Sequence, residues 1–77
     1  MNFKEVYFGL WSEAWQLHKR FYNNDGSDQA WQEIVDTSSE VAEKHKDSGH
    51  YEFIKDLILL VLAELERQDK RKRKEQG

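Results

Sequence analysis

Few side chains in this 77-residue sequence could do chemistry, and their spacing matters more than their number. His45 and His50 stand five apart across Gly49, not at the i, i+4 interval that turns two imidazoles of one helix toward a single metal. A fold would have to carry His18 over to one of them. The simpler reading places His18 and His45 at the border of a core with their polar tips in water. Cysteine is absent, so there is no thiolate nucleophile and no disulfide. The serines fall at caps and on helix surfaces, without the glycine elbow that exposes a nucleophile, and there is no glycine-rich loop to cradle phosphate. Fourteen carboxylates precede residue 70, but none has the apolar setting that raises a pKa for acid catalysis. The sequence therefore predicts no catalytic residue, no metal and no cofactor, in a protein that is not an enzyme.

Two other groups of residues point to contact. Lys70, Arg71, Lys72, Arg73 and Lys74 form an unbroken run of cations that could touch phosphates and give DNA or RNA a salt-dependent affinity. Basic residues at a helix C-terminus also complement the macrodipole, by about 0.3–1 kcal/mol, and no aromatic is interleaved with them for base stacking. The chain as a whole carries −3; with the run set aside, seven basic residues face fourteen acids in residues 1–69, a net −7. Nucleic-acid association is thus the alternative reading. The favoured one rests on Phe8, Trp11, Trp15 and Tyr22, which widen the apolar arc of the first helix to roughly 200°, beyond the ~100° that one core contact needs. Either the bundle folds them inward, or they form a surface for self-association, a host protein or a flat small ligand. Clustered Trp and Tyr are what protein interfaces concentrate.

The element that must hold these residues in place is the stretch from Phe53 to Leu65, the densest run of large aliphatic side chains. At about 100° per residue, Ile54, Leu57, Ile58, Val61, Leu62 and Leu65 share one face, which Phe53 widens. Leu59 and Ala63 project from the side that carries Lys55 and Glu66, predicting a second buried surface. The first helix is expected over residues 3–22, with Asn2 as N-cap and Glu5 closing a capping box. Its core stripe runs through Phe3, Val6, Tyr7, Leu10, Ala14, Leu17, His18 and Phe21. Residues 23–27, NNDGS, make a turn. Ser27 or Asp28 caps a second helix over 28–46 that points Trp31, Ile34, Val35, Ser38, Val41, Ala42 and His45 inward and pairs Glu40 with Lys44 outside.

Residues 47–49 make the second break, with Gly49 suited to a left-handed C-cap. The third helix is expected over 50–69, and residues 70–77 as a basic helix end or frayed tail, since apolar residues stop there. Short links imply antiparallel neighbours, so residues 1–69 read as one all-α, up-down-up three-helix bundle. At this size a single core supplies only about 3–5 kcal/mol unless reinforced. With no disulfide, the reinforcement must be aromatic packing or self-association, and a homo-oligomer is expected through the aromatics of the first helix and the Leu59 side of the third.

The longest apolar run, residues 57–63, is far short of the ~20 residues that span a bilayer. The N-terminus MNFKEVYFGLWSEAW lacks a basic region and a small-residue cleavage site, so a cytoplasmic protein with no membrane partner is expected. The segments LWSEAWQLHKRFYNNDGSDQAWQEIVDTSSEVAEKHK and FIKDLILLVLAELER resemble small all-helical proteins of Firmicutes genomes, their phages and mobile elements. The likeness lies in a Trp-containing helix ending near Leu17, His18, Lys19 and Tyr22, a helix around Trp31, and a closing helix with Phe53, Asp56, Leu57 and Glu64 to Arg67. It implies a helical fold and action by binding, for example inhibition of a bacterial defence system, and it carries over no active site.

Overall fold

The computed structural model describes residues 2–76, with side chains as far as Lys72. They form three helices, α1 (Phe3–Phe21), α2 (Asp28–Lys44) and α3 (Tyr51–Gln76), with no strand among the described residues. The architecture is the all-α bundle that the spacing predicts. The first two helices start where a cap allows it. Asn2 accepts from the Glu5 N–H at 3.4 Å, and Ser27, the cap of α2, accepts from the Ala30 N–H at 3.1 Å, satisfying donors that the first turn leaves unpaired. Between α1 and α2, Asn24 and Asp25 accept from the N–H groups of Gly26 and Ser27, and Gly26 supplies the positive φ of 72° that closes the turn. A Cβ on Gly26 would also lie 2.6 Å from the Asp69 carboxylate of α3.

The core is built from Leu10, Ala14, Leu17 and Phe21 of α1, Ile34 of α2, and Ile54, Leu57, Ile58, Val61 and Leu65 of α3. Because the chain reverses twice, α1 and α3 run in the same direction, and they make the most extensive of the three helix pairings. The Tyr7 ring meets Phe53 edge-on at 5.2 Å. Fifteen residues further along both helices, Tyr22 lies beside Gln68.

The structure departs from the sequence reading at several places. Phe3 is 74 % exposed, not core. The first turn of α1 lies below the start of α3, so the Phe3 ring rests on Tyr7 at 4.8 Å instead. Val35, next to the fully buried Ile34, is 50 % exposed, because α2 buries a narrower stripe than the arc its apolar residues describe. That helix also ends at Lys44, where the His45 N–H turns back to the carbonyls of Ala42 and Glu43. Lys44 pairs with Glu13 of α1 and not with Glu40.

At the C-terminus, where a basic helix end or a frayed tail is expected after residue 69, α3 continues as helix to Gln76. Two causes are visible. Lys, Arg, Glu and Gln are all good helix formers, and Glu64 binds both Arg67 and Arg71 while Glu66 pairs with Lys70. A partner surface also exists where none was expected, since Gln68, Arg71 and Lys72 line a hollow with Tyr22 and Asn23 at the α1–α2 turn.

Candidate functional site

Of the chemistry-bearing residues, Glu13, His45 and His50 line one open hollow with Val6, Gly9 and Leu10, and His18 stands apart from them. His18 lies against Tyr22, the two rings 6.2 Å apart. His50 lies edge-on to Tyr7 at 5.5 Å. The His45 imidazole hydrogen-bonds Glu13, which also binds Lys44. No group of three potential metal-ligating side chains occurs among the described residues. Glu13 and His45 are each 21 % exposed. Partial burial pushes the Glu13 carboxyl upward, but the hydrogen bonds and charges of Lys44 and His45 outweigh it and hold the carboxyl below its ordinary value. This cluster ties the end of α2 to the middle of α1. A carboxylate kept charged suits a structural tie, not proton donation to a substrate.

The aromatic side chains of α1 do converge, on the outside. Phe8, Trp11, Trp15 and Tyr22 are 71 %, 53 %, 59 % and 52 % exposed. Their spacing puts them on one stripe about 20 Å long at 1.5 Å per residue. The inner margin of the stripe touches α3, where the Trp11 ring meets Phe53 edge-on at 5.8 Å. Seven residues after Phe53, and so on the same side of α3, stands Leu60 at 61 % exposure. The result is a two-helix apolar ledge. Lys19 lies over the Trp15 ring at 5.0 Å, and Trp15, His18, Lys19, Tyr22 and Asn23 line an open hollow of about 480 Å³. Sequence reasoning singled out the four aromatics but missed Leu60. The available signal was its seven-residue interval from Phe53, the residue that widens the core face.

Leu59 and Ala63 belong elsewhere. Leu59 is 62 % exposed, but one residue's rotation of about 100° from Leu60 turns it toward α2. There it lines a second, smaller groove with Val35, Ser39, Ala42, Lys55 and Leu62. Ala63 is half-buried. The contact residues predicted as one set therefore lie on two separate faces, because α1 and α2 flank α3 on opposite sides.

In the cationic run, Lys70 pairs with Glu66, and Arg71 reaches Glu64 at 3.2 Å. The Arg67 and Arg71 hydrogen bonds hold the Glu64 carboxyl below its ordinary value. Lys72 borders the hollow beside Tyr22. The side chains of Arg73 and Lys74 lie outside the described residues. Two of the five predicted phosphate contacts are thus already engaged by carboxylates of their own helix. No helix among the described residues is long and apolar enough to cross a membrane. Comparison with protein-family models, curated proteins and solved structures finds no match for this chain.

Proposed function

We propose that this chain is a non-enzymatic binding protein whose working surface is the ledge of Phe8, Trp11, Trp15, Tyr22 and Leu60. The observation that carries the reading is the exposure of five large apolar side chains on one face, each above half. Single exposed hydrophobics are ordinary, whereas a contiguous patch rich in Trp and Tyr is the composition of an interface core. The hollow beside Trp15 and Tyr22 is open, whereas a small ligand needs a cleft that buries most of its area, so the ledge suits a protein surface better. The surface serves self-association or a host protein, and the resemblance to phage and mobile-element proteins makes a defence component the specific host candidate.

The test is Trp15→Ala. The variant should keep its helical circular dichroism and melt within a few degrees of the parent, because Trp15 contributes little to the core. In parallel sedimentation and affinity capture from a bacterial host, it should lose a partner that the parent retains. Unfolding of the variant would assign the ledge to the core, and equal capture by both would place binding elsewhere.

A further inference from the structure

We infer that the occupant of the ledge is a second copy of this chain, joined about a twofold axis that runs along the helices and seats α1 of each protomer on α3 of the other. The inference rests on the ledge being a contact surface and names what covers it. The first ground is area. At the exposures given above, and with ~150–250 Å² per aromatic side chain, the five ledge residues present roughly 600 Å² per protomer. Two copies face to face bring about 1,200 Å² of apolar surface together, the lower bound of a stable interface before any margin residue is counted. The whole chain exposes 5862 Å², against about 5,000 Å² expected for a monomer of its mass.

The second ground is charge. The charged residues on the α1 stripe are Lys4 and Lys19, both exposed and both basic. Around the apolar residues of α3 stand Glu52 and Asp56 in its first turns and Glu64, Arg67 and Arg71 further on; Glu52 also pairs with Lys55 of its own helix, and Glu64 with both arginines. A twofold axis in the plane of the ledge has two settings. Across the helices, it puts α1 on α1, cations toward cations. Along the helices, it puts Lys4 of α1 on the first turns of α3, where Glu52 and Asp56 stand, and Lys19 near Glu64 and its two arginines. The ring contact between Tyr7 and Phe53 fixes the level of the two helices, so Lys4 stands within about 3 Å, measured along the axis, of the level of Glu52. Opposite charges at matched height favour the second setting, which is isologous and closed.

The test is sedimentation equilibrium of the full chain from 5 to 200 µM. The expected species is twice 9.3 kDa. Leu60→Glu and Trp15→Ala should each raise the dissociation constant at least about thirtyfold, as a lost interface anchor does, while their circular dichroism stays that of the parent. Lys4→Glu should weaken the dimer about tenfold, and Lys4→Glu with Glu52→Lys should restore it. A monomer throughout the range overturns the inference. So does a dimer that Leu59→Glu dissociates and Leu60→Glu does not, and so does failure of the charge exchange to restore affinity. If the parent is monomeric and the ledge variants lose a different captured protein, the contact-surface reading stands and the second copy is excluded.

Discussion

Glu13 joins two helices through Lys44 and His45, and its behaviour with pH follows from that geometry. Its carboxyl is held below the ordinary value in the folded chain. The ionised form is therefore bound more tightly by the native state than by the unfolded one. That contribution is complete above the unfolded carboxylate range, near pH 4–5, and fades as pH falls through the lower folded value. Glu13→Gln should cost about 1 kcal/mol at neutral pH, lowering the melting temperature by about 4–8 °C. The gap between parent and variant should close on acidification toward pH 3. Melting curves at pH 7, 5 and 3 check this, and a gap that persists at pH 3 would mean that the side chain acts by packing. None of this was legible in the sequence. Glu13 and its partners are about thirty residues apart, and a carboxylate among fourteen others gives no sign of which cation it will meet. Buried aliphatics were readable because periodicity alone places them, whereas Phe3 and Val35 show that periodicity cannot say where a neighbouring helix begins or how wide a stripe it covers.

At the scale of the elements, caps and breakers fixed the starts of the helices. Asn2, Ser27, Gly26 and Gly49 act through local backbone geometry, which a sequence displays directly. The end of α3 was not legible, since the loss of apolar residues after Leu65 says nothing of ion pairs three to seven residues apart or of a polar contact with the α1–α2 turn. This contact divides the C-terminal part of α3 in two. A chain ending at Asp69 keeps Gln68 and Asp69 beside the turn and should melt within a few degrees of the full length. One ending at Leu65 loses that support and should melt at least about 5 °C lower, the effect of about 1 kcal/mol in a domain of this size. The chain ending at Asp69 also tests the basic run. With Lys70 and Arg71 already paired to carboxylates, full-length and shortened chains should bind DNA and RNA equally weakly at low salt. A steeper loss of affinity with salt for the full chain would return nucleic acid to the leading position.

The whole molecule is a slender bundle, 50 × 21 × 16 Å, with a core of ten buried apolar side chains among the described residues. Its fold was legible because three amphipathic segments joined by short links have few other ways to hide their apolar faces. Its surfaces were only half legible, for the face on which Leu59 or Leu60 ends up depends on how α3 is rotated between its neighbours. A core this small sets the scale of the last prediction. Ile54 is fully buried, and Ile54→Ala should cost about 2–5 kcal/mol, comparable with the ~3–5 kcal/mol that an unaided core of this length supplies. A monomer would then be largely unfolded at room temperature, whereas a chain reinforced by a second copy gains stability with concentration by mass action. The expected result is a melting temperature for Ile54→Ala at least about 10 °C below the parent at 5 µM, recovering by several degrees at 200 µM. Leu59→Ala, outside both core and ledge, should match the parent at either concentration. A melting temperature for Ile54→Ala that is low and indifferent to concentration would mean that the bundle stands alone, and one close to the parent's would mean that its stability is carried by contacts other than this core.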